Sequence, residues 1–447
     1  MSLASTSALP NLLHHTTHKT EDIELSARTP SQEHKESPPD GQVAVSEPSN
    51  STGPRAKIQF FSLCWTLFLI GWSDSSTGPL LPRIQSAYDV GFAVVSIIFI
   101  ANCIGFVAGS ILNIFLNDKL GFGKTIVLGS VVQMVAFSIQ ASAPPFPLFA
   151  ITYAINGFGA SFADAQANGF VANYKDNAAA KMGILHAAYG VGALTAPLVA
   201  TQFSQLHRWS FYYLASLGVA TLNTVLLVCV FKLKTQDECL AQIGQLPEEK
   251  EDVNGSKYKE MFKLKSLHLL ALFILVYVGI EVTIGGWIVT YVIQVRHGGP
   301  SSGYISTGFF GGLTVGRVAL LWVNKKIGER TAIYVYALLT IGLELVVWLV
   351  PSLIGGAVAV SLVGVLLGPI YPIVMNEAGR ILPRWLLTGC IGWIAGFGQT
   401  GSAVLPFMTG AIASRTGIKS LHPLLVSMMG LLVALWACVP KGHQRQD

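Results

Sequence analysis

The chain has 447 residues, of which 51% are hydrophobic and only 12% charged, about half the charged share of an ordinary soluble domain. Several apolar runs exceed the roughly 20 residues that span a bilayer, which excludes a soluble globular protein. The net charge of +5 therefore reports on loops and not on nucleic-acid binding. None of the six cysteines stands in a CxxC pair or a zinc-type cluster, so neither a disulfide framework nor a metal site is expected.

Residues 1–55 are rich in Ser, Thr, Pro, His and Glu with no apolar period, and are expected to be a disordered tail. No signal-peptide pattern opens the chain. Twelve candidate spans follow: 58–84, 92–116, 122–143, 146–173, 179–204 and 209–232, then 266–294, 301–323, 330–350, 353–380, 385–414 and 420–439. Between the sixth and seventh lies a polar linker, 233–265, with room for a short surface helix and with Cys239 as a linker thiol. The predicted organisation is a six-helix bundle over 56–232, the linker, a second bundle over 266–439 and a short tail over 440–447.

An even number of spans places both termini on one side. Among the 29 Lys and Arg, only Arg83, Arg208, Arg296, Arg415 and Lys419 then fall on the opposite side, and Arg317 falls inside a span. The positive-inside rule makes the side of the termini cytoplasmic. The plasma membrane is the default membrane, with an internal membrane as the alternative.

The first span contains Gly71–Gln85, GWSDSSTGPLLPRIQ. A carboxylate at bilayer depth is expensive unless it faces water or a partner, so Asp74 is expected to line a central cavity. The Ser/Thr/Gly/Pro run behind it, with Pro79 and Pro82, is predicted to weaken the helix and free backbone groups.

The two halves repeat. Gly109–Lys124 (GSILNIFLNDKLGFGK) and Gly316–Thr331 (GRVALLWVNKKIGERT) share Gly109/Gly316, Asn117/Asn324, Lys119/Lys326 and Gly121/Gly328 at one offset. Gly71/Gly279 and Gly78/Gly286 match one residue further on. Two half-repeats of the same sense point to a transporter whose site lies between them.

The loop Asp118-Lys119-Leu120-Gly121-Phe122-Gly123-Lys124 and its counterpart Asn324-Lys325-Lys326-Ile327-Gly328-Glu329-Arg330 resemble the hallmark loop of the major facilitator superfamily. Ile114 stands where the usual leading glycine would be, and Asn324 replaces the acid of the second copy. The resemblance implies an all-α polytopic fold of twelve transmembrane helices in two pseudo-symmetric six-helix bundles. It also implies alternating access, with Asp118, Lys119, Gly121, Lys124, Asn324, Lys325, Gly328 and Arg330 as gating residues. An acid in such a loop can pair with a helix N-terminus of the other half in one state only. GFGASFADAQANGF (157–170), GIEVTIGGWIVTY (279–291) and GPIYP (368–372), with the first span, look most like the fucose–proton symporter branch in a fungal-type form.

Asp74, Asp164 and Glu281 fall on three helices that line the cavity in that superfamily. Asp164 and Asn168 are i,i+4 and share a face. Carboxylates withdrawn from bulk water can load and release protons; the alternative role is a hydrogen-bonded acid holding helices together. Trp72, Tyr189, Trp287, Tyr371 and Trp393 lie on or near the same helices. Trp287 and Tyr371 sit beside helix-breaking residues and are the candidate solute contacts. His186 is a candidate proton relay and Arg317 a counter-ion or a contact for an anionic group, while Glu344 suits a polar contact and Glu377 and Arg380 an inner gate.

Tyr153 stands where many drug–proton antiporters carry an arginine. No Walker loop, HExxH or nucleophile elbow is present, so no enzymatic activity, cofactor or metal is expected. The expected function is proton-coupled secondary transport of a sugar or similar polar metabolite, by a monomer in a lipid bilayer. The alternatives are an exporter of a fungal secondary metabolite and a non-transporting sensor on a transporter fold. The short C-terminal KGHQRQD disfavours the sensor.

Overall fold

A computed structural model describes residues 53–174, 177–245, 256–383 and 386–440. Most of the N-terminal tail, the centre of the linker and nearly all of the C-terminal tail thus lie outside the described residues, as do the expectations placed on them. The described residues form helices and turns with no strand, as expected where each segment must satisfy its own backbone in lipid.

The N-terminal set is α1 (Pro54–Tyr88), α2 (Phe92–Val95), α3 (Ile97–Leu120), α4 (Phe122–Ala141), α5 (Phe146–Ala172), α6 (Ala178–Ser204) and α7 (Tyr212–Phe231). The linker holds α8 (Gln236–Ala241) and α9 (Ser256–Met261). The C-terminal set is α10 (Lys265–Arg296), α11 (Tyr304–Ala319), α12 (Leu321–Ile327), α13 (Glu329–Leu349), α14 (Leu353–Leu367), α15 (Ile370–Ile381), α16 (Leu387–Thr416) and α17 (Leu421–Cys438). Among the described residues nine helical segments are long and apolar enough to cross a membrane, and α11 with α12, bent by 53°, makes a tenth. The 35-residue α1 and 30-residue α16 are not among these.

The packing pairs recur. In the first set α1 lies on α6, α3 on α5, and α4 on α5 and α7. In the second, α10 lies on α16, α11 on α14, and α13 on α14 and α17. The same local sequence, read twice, yields the same neighbour relations. The repeated loops agree in detail as well. Gly121 (φ +77°) and Gly328 (φ +84°) each end a helix in a conformation that L side chains rarely adopt. Their N–H groups donate to Asn117 and Asn324 at 2.9 and 3.0 Å.

The structure corrects one expectation: α1 runs unbroken through Pro79 and Pro82. Each proline removes a ladder hydrogen bond, yet small residues let neighbours pack tightly on both sides, and tertiary packing overrides the local preference. The breaks fall elsewhere: at Leu320 between α11 and α12, and at Gly368-Pro369 between α14 and α15. Cys239 is a free thiol in the linker, as expected. It is fully buried, with Leu240 and Ile243, in a cluster that includes Phe170 and Phe231, and burial pushes its thiol up to about 11. A capping box starts this helix. The Thr235 N–H donates to Glu238 Oε2 at 2.8 Å and the Glu238 N–H to Thr235 Oγ1 at 3.3 Å. These contacts hold the Glu238 carboxyl below its ordinary range.

Glu344 makes the polar contact expected of it. Its Oε2 lies 2.7 Å from His422 Nδ1, and both side chains are fully buried between α13 and α17. Leaving one partner of a buried hydrogen bond unpaired costs about 1–3 kcal/mol. Glu344→Leu should therefore lower the thermal unfolding midpoint of the purified protein; an unchanged midpoint would show that the contact contributes nothing.

Candidate functional site

Asp74 is solvent-exposed although α1 is mostly buried around it. Its position is set by Gly71, one turn earlier. A Cβ there would lie 2.1 Å from the Tyr189 carbonyl oxygen, so only glycine lets α1 and α6 approach this closely. The approach brings the Tyr189 hydroxyl to Asp74, where it donates to Oδ2 at 3.0 Å. On the next helix, Asn156 Nδ2 donates to Ser73 Oγ at 2.9 Å and ties α5 to α1.

Asp164 and Asn168 share one face of α5, as their spacing requires, and Asn168 Nδ2 donates to Asp164 Oδ1 at 2.9 Å. Both are half-buried. Asp74 interacts electrostatically with Asp164 and with Glu281 of α10. Glu281, also half-buried, interacts in turn with Arg317 of α11 and with Tyr277, one turn back on its own helix. Tyr371 of α15 is half-buried, lies 6.3 Å ring to ring from Tyr277, and interacts with Asp164, Glu281 and Arg317. His186 on α6 is exposed and interacts with Arg317. Six helices thus converge on three carboxylates, one guanidinium and one imidazole. The buried Nε of Arg317 has no hydrogen-bond partner among the described residues.

Trp287 stands apart. It is fully buried, its indole N–H donates to the Pro406 carbonyl at 3.0 Å, and its ring packs near Phe92 and Phe99. This leaves no free edge for a solute. Tyr189, which the sequence places on or near the cavity helices, holds Asp74, and Tyr277, which the sequence reading does not single out, lies beside Glu281. For Tyr277 the signal was its i−4 spacing from Glu281.

The gating loops differ in engagement. Asp118, Lys119 and Lys124 are exposed, and Asp118 and Lys119 make no ion pair or hydrogen bond with a described residue through their side chains. The first loop is tied instead to the linker, through the Gly123 N–H and the Lys234 carbonyl at 2.9 Å. In the second loop Asn324 is buried and accepts from the Tyr336 hydroxyl at 2.5 Å, while Lys325 is exposed. Around it, Arg380 pairs with Glu329 at 2.7 Å and Arg330 with Glu377 at 3.7 Å. Asn376 donates to Glu329 at 3.0 Å, and Arg330 also donates to the Val439 and Pro440 carbonyls.

The two helix sets touch near one end. Gly78 meets Gly285, Gly286 meets Phe99, Gly410 meets Ser96, and Gly303 meets Thr201. Gln202 bonds Tyr304, and Cys103 Sγ donates to Gln399 O at 3.4 Å. These contacts lie toward the ends of α1 and α10 that carry Tyr88 and Arg296, away from Pro54 and Lys265. The repeat-related glycines do matching work. Gly71 and Gly279 face α6 and α16 within their own sets, and Gly78 and Gly286 face the other set.

The chain is 26% identical over 435 residues to Bypass of stop codon protein 6 of Saccharomyces cerevisiae, covering 90% of this chain and 87% of that protein. It is 23% identical over 377 residues to the glucose/mannose transporter GlcP of Bacillus subtilis, covering 82% and 91%. The crystal structure of the Escherichia coli fucose:proton symporter FucP has the same fold, with a TM-score of 0.58 at 16% identity over 86% of this chain and 99% of that one. The Major Facilitator Superfamily profile spans residues 63–386, well over half of the chain, and the chain belongs to that superfamily of membrane transporters.

Proposed function

We propose that this chain moves a small polar solute, with a sugar as the favoured class, and couples that movement to protons through Asp74 and Glu281, with Asp164 as a third acid. The observation that carries the reading is Asp74: an exposed carboxylate in the interior of a long helix, hydrogen-bonded by Tyr189 and facing the charge of Glu281 on the repeat-related helix. A carboxylate at that depth is tolerated only where it faces water or a partner, and Asp74 has both, the setting in which it can load and release a proton. The named solutes of GlcP and of the fucose symporter support the sugar class.

In this reading α1 and α16 are also spans, which makes twelve in two six-helix halves, 56–232 and 266–439, joined by a cytoplasmic linker. Both termini are cytoplasmic, the plasma membrane is the default, and the monomer is the working unit. The halves meet at the non-cytoplasmic end, and the cleft between them opens to the cytoplasm. The unengaged Asp118 loop fits that state, because its latch forms only when the cytoplasmic end closes. Trp287 belongs to the closed end.

The test is uptake of radiolabelled glucose, mannose and fucose by proteoliposomes under an imposed proton gradient. The expected result is accumulation of one of them above the external concentration, lost when the gradient is collapsed by an ionophore. Flux down the solute gradient that ignores the proton gradient in both directions would remove proton coupling. Gradient-driven efflux would instead make the protein an exporter working on the same residues.

A further inference from the structure

We propose that Tyr277 and Arg317 are positioning residues that couple the charge on Glu281 to a double hinge, formed by the touching breaks of α11–α12 and α14–α15. Loading a proton onto Glu281 then frees α12 and α15 to move as one piece. The inference rests on the proton-coupled reading above and adds to it the path by which the proton reaches the gate.

The two breaks are in contact. Gly316, just before the bend at Leu320, is so close to α14 that a Cβ would lie 2.0 Å from the Val365 carbonyl oxygen. A Cβ at Gly368, inside the second break, would lie 2.4 Å from the Leu313 carbonyl and 3.1 Å from the Arg317 amide. Arg317 therefore sits where one broken helix rests on the other. Beyond the breaks, α12 and α15 are joined through the start of α13: Asn324 with Tyr336, Glu329 with Arg380, and Asn376 with Glu329. A helix interrupted at one point can bend there alone. Two interruptions in contact, with their far segments tied together, define a shared hinge line.

What holds the hinge from the other side is α10. Tyr277 is fully buried and its hydroxyl donates to the carbonyl of Leu367, the last residue of α14, at 3.0 Å. One turn on, Glu281 interacts with the guanidinium of Arg317. Residues on one face of one helix thus act on both breaks, Tyr277 by a hydrogen bond to Leu367 and Glu281 by the field of its charge at Arg317. The other titratable groups that feel Glu281 are Asp74 on α1, Tyr189 on α6 and Tyr371 on α15. Asp74 is repelled by the Glu281 charge, so neutralising Glu281 removes that repulsion in the same step that removes its attraction for Arg317. The guanidinium keeps its charge throughout, and its Nε has no competing hydrogen bond to hold it in place.

The experiment places spin labels at Leu272→Cys on α10 and Gly379→Cys on α15, with the exposed Cys229 and Cys438 replaced by serine. Both label sites lie in the second helix set, so rocking of one half against the other leaves their separation unchanged while motion at the hinge alters it. A side chain at Gly379 meets nothing within 4 Å. In the otherwise unaltered protein in liposomes, the distance distribution should shift between mildly alkaline and mildly acidic pH, and Glu281→Gln should hold the acidic distribution at both. Tyr277→Phe, which keeps the ring, should change the ratio of the two populations about fivefold, the equivalent of one hydrogen bond of about 1 kcal/mol. Arg317→Lys, which keeps the charge but not the planar fork, should change it in the same sense.

If both variants keep the full shift, Tyr277 and Arg317 do not couple the hinge, although proton coupling through Glu281 stands. A separation that never responds to pH, alongside proton-driven flux, removes the hinge. Flux that ignores the gradient removes the underlying reading first, and that measurement does not depend on the labels.

Discussion

Asp74→Asn should abolish solute accumulation driven by a proton gradient, while exchange of labelled for unlabelled solute continues within a few-fold of the unaltered rate. The amide is nearly isosteric with the carboxyl, and its oxygen still accepts from the Tyr189 hydroxyl, so the contact at 3.0 Å and the packing of α1 on α6 survive. What is lost is the capacity to change charge. A driving force of 100 mV is worth about 2.3 kcal/mol per elementary charge moved, which for one proton per solute sustains roughly a fiftyfold concentration ratio. The variant should fall to a ratio of about one, because binding and reorientation remain but no proton travels with the solute. Measuring accumulation and exchange side by side in proteoliposomes separates coupling from a damaged protein, since misfolding lowers both. Accumulation that stays near fiftyfold would show that Asp74 carries no coupling proton. The neighbouring acid at Asp164 is held by Asn168 of its own helix, and its replacement should disturb coupling less.

Much of this arrangement is local information, and local information is what a sequence displays. The offset that pairs Gly121 with Gly328 reappears as two helix ends with the same backbone geometry and the same hydrogen bond. The i,i+4 relation of Asp164 and Asn168 becomes a contact because a helix leaves it no choice. Asp74 is legible because a carboxylate inside an apolar run calls for water or a partner before either is known. What escaped depends on residues far apart in the chain. Pro79 and Pro82 look like helix breakers, but α6 and α10 pack against α1 and the helix runs on through both. Trp287 looked like a solute contact from its flanking glycines, whereas those glycines serve to seat Phe99 and Phe310 against α10. Tyr277 lies in a run, Leu275-Val276-Tyr277-Val278, that reads as apolar helix. Its role rests on the Leu367 carbonyl, freed by a break 90 residues away. His422, the partner of Glu344, lies 78 residues downstream on another helix.

Gly78→Val should shift the protein out of the state described here without unfolding it. A Cβ at Gly78 would lie 2.0 Å from the Gly285 carbonyl oxygen and 3.2 Å from Ser306 Oγ. The first clash is with backbone, which no rotamer change relieves, and valine adds two further methyl groups. Forcing such volume into a closed contact costs about 3 kcal/mol or more, which is at least about a hundredfold in an equilibrium between two states. The contact joins one helix set to the other, so the cost falls only on the state in which the Tyr88 and Arg296 ends are together, and the population moves to the alternative. Gly71→Val makes an equally severe clash, at 2.1 Å from the Tyr189 carbonyl. That contact lies inside a single set and persists in both states, so the cost falls on folding itself and should appear as poor expression. Ser306 reports the difference. It is fully buried beside Gly78, and in a Ser306→Cys background the thiol should resist a membrane-impermeant reagent applied from the side of the Tyr88 and Arg296 ends. Adding Gly78→Val should make it reactive in protein that expresses normally, with net transport slowed in proportion to the lost population. A thiol that stays protected, in a variant that transports at the unaltered rate, would show that this end does not open during the cycle.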